Sequence, residues 1–376
     1  MSKYTSVELD LRTLSSMNYI FTVIRGIQAG REYYITMYPL SLIPKLFQTD
    51  IESNLPVELR AQRLLNKMRI NQITRYILNN PMEYVFSSLV ISIDAKTEFK
   101  PLIEMSDCKV GLLIVPMTAK FIINDGQHRI AAIKEAVKAS SNIAREHIPI
   151  VFFIYSGLKR SQQMFTDLNK YAIRPSNSLN ILYDYRDSIA RLTVRLANSV
   201  TIFKDRIEFE KTTLSPNSSK LFTLNNLYHS ICALVGNKDP RAKITTEEES
   251  LYVEYWNELA NNIKEWKLLL EGEITAPELR RNFVHGHGVA LQAFGAIGHE
   301  LLIKYKDRWK DRLLLLQKIN FSRTNKIWHG RVIINGRISK TYTSLVLLTN
   351  ILKRQLGLEL SITEERIEKR FKDKAN

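Results

Sequence analysis

Between residues 121 and 140 the chain passes from an apolar run, Phe121-Ile122-Ile123, through Asn124-Asp125-Gly126-Gln127-His128-Arg129 into apolar residues at helical spacing, Ile130, Ile133, Ala136 and Val137. A strand therefore hands over to a helix at this point, and no other segment constrains the fold as tightly. The junction also gathers residues able to donate, accept, ionise or bend sharply where the first N–H groups of a helix have no partner and attract anions.

Upstream, Tyr19–Ile27 and Glu32–Tyr38 read as a hairpin turning through Gln28-Ala29-Gly30. Pro39 and Pro44 open a short helical stretch to Phe47, and Pro56–Asn66 and Arg69–Asn79 carry the three- and four-residue spacing of amphipathic helices. Tyr84–Asp94, Val110–Pro116 and Lys120–Ile123 read as strands, and a strand at Ile148–Tyr155 and a helix over Arg160–Leu168 follow the junction. From Ser178 the pattern turns largely helical, with a capping-box signature at Thr246–Glu249 heading a helix to about Leu270, and further helices at Gly288–Lys306 and Thr343–Leu356. The expectation is an α+β protein, with a mixed-sheet α/β domain over residues 17–178 and a mainly helical domain over 179–376.

No apolar run approaches the roughly 20 residues that a membrane span needs, and the first ten residues lack the pattern of a signal peptide. The expected setting is cytoplasmic, with no membrane partner. Cys108 and Cys232 are too few for a disulfide framework or a thiolate zinc site and read as small, buried or half-buried residues. The net charge of +16 points to a polyanionic partner if it is concentrated, and it is: between Leu301 and Lys340 eleven basic residues face only Asp307 and Asp311.

At the junction, Gly126 permits positive φ or close approach by a ligand, and Arg129 has the fork that grips phosphate. His128 is a candidate proton carrier, and Asp125 a candidate for holding magnesium or orienting a water. The candidate phosphate- or nucleotide-binding set is Asn124, Asp125, Gly126, Gln127, His128 and Arg129, with Asp167 and Asn169 from downstream. Asp125 and His128 are the candidate catalytic pair for any activity. The competing reading has Asn124 and Asp125 capping the helix while His128 and Arg129 pair with local carboxylates. Asp167 and Asn169 either face the same loop or sit at a helix C-terminus capped by Asn169.

Asn-Asp-Gly-Gln-His-Arg after an apolar strand, with Phe165-Thr166-Asp167-Leu168-Asn169-Lys170 and Ser178-Leu179 downstream, resembles the DGQHR-domain family of DNA sulfur modification proteins. Ile24–Tyr34, Leu59–Arg63 and Asn335–Lys340 carry the same likeness, so it spans most of the chain. The resemblance implies a bacterial, restriction-modification-like defence system that replaces a non-bridging phosphate oxygen of DNA with sulfur. Within it the family member acts as the transcriptional repressor that binds the promoter of the modification operon, not as the sulfur-transfer enzyme. DGQHR domains are in turn similar to the ParB and sulfiredoxin superfamily, whose strand-to-helix turn holds a nucleotide phosphate. Asp-Gly-Gln-His-Arg replaces the Gly-Glu-Arg-Arg type of turn in ParB, and the Cys-His pair of sulfiredoxin is absent from the motif.

Phe321–Arg331 interleaves cations with aromatic rings and short polar side chains, a composition suited to phosphate contacts and base stacking. Arg323, Lys326, Trp328, Arg331, Arg337 and Lys340 are the candidate DNA-binding residues, part of them on a hairpin suggested by Gly330, Gly336 and Val332-Ile333-Ile334. The bland alternative is a solvated basic face. Thr343–Leu356, Gly357 and a last helix opening at Ser361–Glu364 have the outline of a helix-turn-helix, but the last helix carries too many acids for a groove reader. His285, His287 and His299 lack a cysteine or close carboxylate to complete a metal site, and no metal is expected. Tyr183–Asp187 reads as packed helix.

The leading expectation is a repressor bound to double-stranded promoter DNA, with homodimerisation and other sulfur-modification proteins as possible associations. The alternative is an enzyme that binds or hydrolyses a nucleoside triphosphate with Mg2+, or cleaves DNA, through the motif. A third is an assembly role in the modification complex.

Overall fold

The computed structural model describes residues 17–47, 65–102, 109–170, 175–236, 239 and 242–375. Cys108, the predicted helix over residues 56–66 up to residue 64, and the segment Leu59–Arg63 lie outside the described residues. The chain divides into two compact units, Met1–Ile173 and Arg174–Asn376. The architecture is α+β.

The first unit is built on a seven-stranded sheet in the order β4-β5-β1-β2-β7-β3-β6. Its strands are β1 (Asn18–Gln28), β2 (Arg31–Pro39), β3 (Leu89–Asp94), β4 (Glu98–Pro101), β5 (Val110–Pro116), β6 (Lys120–Asp125) and β7 (His147–Ile154). Every pairing is antiparallel except β3 with β7. The β1–β2 hairpin turns at Ala29 and Gly30, both at positive φ, the turn whose twist suits paired strands. Helices α1 (Ile43–Leu46), α2 (Lys67–Asn79) and α3 (Gln127–Ala139) supply Ile43, Ile77, Ile130 and Ile133 to a core completed by Phe21, Leu113, Ile91 and Phe152 from the sheet. Each such aliphatic side chain contributes about 1.5–3 kcal/mol on burial, so this apolar face holds α2 and α3 in place. A further helix, α4 (Leu158–Lys170), follows β7.

Two expectations change here. The strand expected over 84–94 starts only at Leu89, because Tyr84 and Phe86 turn their rings onto Tyr76 of α2 instead of joining the ladder. The short strand β4 was not expected; it is four residues long and lacks clean alternation.

The second unit contains α5 (Asn177–Tyr183), α6 (Ser188–Ser199), β8 (Ile207–Glu208), β9 (Phe222–Thr223), α7 (Leu224–Val235), α8 (Thr246–Asn261), α9 (Lys264–Glu271), α10 (Ala276–Asn282), α11 (Gly288–Lys304), α12 (Trp309–Leu313), β10 (Ile333–Ile334), β11 (Arg337–Ile338), α13 (Tyr342–Leu356) and α14 (Ile362–Ala375). Its core surrounds α7 and α11, which approach so closely that a Cβ on Gly295 would lie 2.1 Å from the Ser230 carbonyl oxygen. Any larger residue there would force the helices apart.

The helix expected to reach Leu270 is broken into α8 and α9. Buried Asn262 donates to the Glu258 carbonyl and carboxylate and accepts from Gln317, and Ile263 is extended. The capping box falls one residue earlier than expected, at Thr245 and Glu248. Asp187 caps α6, so Tyr183–Asp187 is a helix junction and not a continuous helix. Among the described residues no helix is long and apolar enough to cross a membrane.

Candidate anion-binding turn and nucleic-acid interface

β6 runs through Asn124 and Asp125, and α3 starts at Gln127, so the motif is the strand end and first helical turn together. Gly126 between them has φ 106°, the left-handed region that a side chain would strain, and a Cβ there would meet Leu89 at 2.5 Å. The functional groups mostly face protein. Asn124 is buried and donates to Ser92 Oγ at 2.7 Å, tying β6 to β3. Arg129 pairs with the Asp125 carboxylate at 2.5 Å and donates to the carbonyls of Ser87 and Ser88 at 2.7 and 3.1 Å. Its fork therefore anchors the irregular segment before β3.

His128 Nε2 accepts the backbone N–H of Asn66 at 3.1 Å, which assigns the proton to Nδ1. Burial, assisted by the charge of Arg69, holds the His128 pKa below its ordinary value. The ring is neutral at pH 7 with its Nε2 lone pair engaged. Gly126 gives α3 no side-chain cap, so the N–H groups of the first turn are what the motif offers an anion. Gln127 is half-buried in that turn. The competing expectation, that Asn124 or Asp125 caps the helix, is not observed, whereas the pairing of Arg129 with a local carboxylate is.

Asp167 accepts from Gln163 at 2.7 Å and lines a separate cavity of the first unit with Arg31 and Arg160. Asn169 lies inside α4, donating to the Phe165 carbonyl at 2.8 Å, and is not its cap. Among the described residues neither side chain bonds to residues 124–129.

In the second unit the basic segment divides sharply. Trp328 is fully buried, stacked on Phe321 at 5.8 Å and donating to the Asn320 carbonyl, so it has no face for a base. Arg331 is also withdrawn: it makes bonds of 2.7 and 2.8 Å to Glu368, and its guanidinium lies over Phe371. These two residues organise the fold where base stacking and phosphate contact were expected. Lys326, Arg337 and Lys340 are exposed. Arg323 donates to the carbonyls of Arg281 and Gly336, joining the end of α10 to the β10–β11 hairpin, whose turn is Asn335-Gly336, both at positive φ.

That bridge brings in two cations the sequence reading missed, Arg280 and Arg281. The signal was present as an Arg-Arg pair just before Asn282 and the Gly-flanked start of α11. None of Arg280, Arg281, Arg323, Lys326, Arg337 and Lys340 pairs with a carboxylate among the described residues. Their joint field is felt at His287: burial drives its pKa down to about 4, and Arg323, Lys340 and Arg280 push the same way.

The three histidines have separate uses. His285 is buried against Glu265 at 3.0 Å, His287 donates Nε2–H to the Arg280 carbonyl at 2.8 Å, and His299 Nδ1 meets the Leu234 carbonyl at 2.9 Å. Burial pulls the His285 pKa down, so its contact with Glu265 is a hydrogen bond from a neutral ring.

The family model DndB, described as DNA-sulfur modification-associated, matches residues 21–359. The chain belongs to the DndB family. Membership associates it with DNA sulfur modification and covers both the strand-to-helix turn and the basic cluster. No curated protein and no solved structure shows significant similarity to this DndB-family chain.

Proposed function

We propose that this DndB-family protein is a DNA-binding repressor of a DNA phosphorothioation operon, in a bacterial restriction-modification-like defence system. The observation that carries the proposal is the cluster of Arg280, Arg281, Arg323, Arg337 and Lys340. Arg323 bridges the carbonyls of Arg281 and Gly336, the residue before Arg337, while Arg280, Arg281 and Lys340 line one cavity; none makes an ion pair with a carboxylate among the described residues, although Arg281 lies near enough to Glu278 to feel its charge. Unpaired cations held close together are what a phosphate backbone requires, because binding releases its counter-ions. Arg337, the exposed first residue of β11 just after the Asn335-Gly336 turn, is open to a phosphate backbone.

The enzymatic reading draws support from the uncapped first turn of α3, but it loses Arg129 to Asp125 and His128 Nε2 to Asn66. A nucleotide held there by backbone N–H groups would act as a regulator of DNA affinity.

Gel shifts on the DNA upstream of its own operon, over a range of salt, test the main proposal. Arg337→Ala and Lys340→Ala should each weaken binding and lower the salt slope by about 1. Unchanged affinity and slope in the double variant would remove the cluster from the proposal.

A further inference from the structure

A cavity of about 430 Å³ opens in the second unit at the start of α11, with Arg280, Arg281 and Lys340 in its lining and no acidic residue there. Arg280 is engaged by loop carbonyls and Arg281 is partly offset by the charge of Glu278 on α10, but no carboxylate enters the lining, so the cavity keeps a net positive charge that favours an anion.

The walls are built to hold this arrangement. Arg280 donates through Nη2 to the carbonyls of Ser215, Pro216 and Ser218 at 3.3, 3.0 and 2.7 Å, and through Nη1 to that of Lys220. One guanidinium thus pins the loop that forms one side of the cavity, held by carbonyl dipoles alone, and burial pulls its pKa below that of an ordinary arginine. On the floor, His287 donates to the Arg280 carbonyl and stands as N-cap of α11 without capping it through its side chain. The N–H groups of Gly288 and Val289 then have no acceptor within the helix, and the dipole of a 17-residue helix ends at the cavity.

Asn226 adds a neutral donor. Its Oδ1 accepts from Thr223 Oγ1 at 3.0 Å, which orients the amide, and its Nδ2 sits against Gly288: a Cβ there would lie 2.3 Å from it. Leu214, Pro216 and Pro277 add apolar surface to the same lining. A charged fork, an ammonium, an amide and backbone N–H groups match the oxygens of a phosphate, and the apolar lining residues match the organic group esterified to it.

We propose that this cavity is a binding site for a phosphate ester, its donors being Arg281, Lys340, Asn226 and the first turn of α11. The phosphate comes either from a free nucleotide-sized molecule or from the backbone of DNA, and the cavity chemistry is the same for both.

The test is calorimetric titration of the full chain, in buffer free of phosphate and sulfate, with inorganic phosphate and with deoxyadenosine 5′-monophosphate. Both should bind saturably, the ester more tightly. Arg281→Ala and Lys340→Ala, two exposed side chains, should each weaken binding about tenfold with unchanged circular dichroism, while Lys267→Ala on α9 should not. Displacement of the ester by duplex DNA would support the site with the backbone as the source; its retention would support the site with a free ligand as the source. Absence of saturable binding, or binding indifferent to the Arg281→Ala/Lys340→Ala pair, would overturn the proposal. Operator binding with no phosphate binding would sink the cavity and leave the repressor reading standing, whereas phosphate binding without operator binding would do the reverse.

Discussion

Arg331 grips the carboxylate of Glu368 with two hydrogen bonds of 2.7 and 2.8 Å, joining the segment before the β10–β11 hairpin to α14. The carboxylate is 4% exposed and also receives Asn350 and Arg354, at 3.1 and 3.2 Å. Burial opposes its charge, but these donors outweigh burial and hold the Glu368 pKa below the usual carboxylate value. Arg331→Ala would leave a buried carboxylate short of its best partner. It should cost about 3 kcal/mol of stability, read as a lower urea midpoint, while the folded variant keeps its DNA affinity. Loss of DNA affinity without loss of stability would return Arg331 to the interface.

Trp328 makes a parallel case. Fully buried and stacked at 9° on Phe321, it belongs to the core of the second unit. Trp328→Ala should destabilise by about 3–5 kcal/mol through the cavity it leaves, and Trp328→Phe by much less. Differential unfolding of the two variants checks this.

Arg129 should behave as an anchor. A lysine cannot reproduce its fork to Asp125, Ser87 and Ser88, so Arg129→Lys should cost about 2 kcal/mol. Hydrogen exchange should show the segment over residues 84–88 opening first. Unchanged stability, with loss of nucleotide binding, would instead mark Arg129 as a ligand group.

Acid should weaken the second unit. His287 has a folded pKa of about 4 against an ordinary 6.5, so the unfolded chain binds the extra proton between those values. Stability is full above about pH 6.5 and falls as pH drops, the loss being complete below about pH 4 and on the order of 3 kcal/mol for this group. His285, lowered by burial, adds in the same direction. Urea midpoints measured from pH 7 to pH 4 should fall steeply, and His287→Gln should flatten the slope.

The handover from β6 to α3 was legible because a period of two and a period of 3.6 meet at a glycine, and both signals are local. The β1–β2 hairpin and the helical second half were legible for the same reason. Tyr84–Ser88 was misread as strand since its aromatic residues satisfy β propensity while their actual partner, Tyr76 on α2, cannot be seen from sequence spacing. The break at Asn262 was hidden likewise, depending on Gln317 some fifty residues away.

By itself the sequence determined the element order, the excess of positive charge and the residues of the strand-to-helix turn, all properties of neighbouring residues or of composition. Only the tertiary structure decided which cations remain free. Arg129 and Arg331 look as available as Arg337 in the sequence, yet Asp125 and Glu368 claim them, while Arg280, Arg281 and Lys340 line a cavity with no acid in its lining. The reason is physical: a charge is neutralised by whatever lies within a few ångströms, and that distance is set by packing rather than by position along the chain.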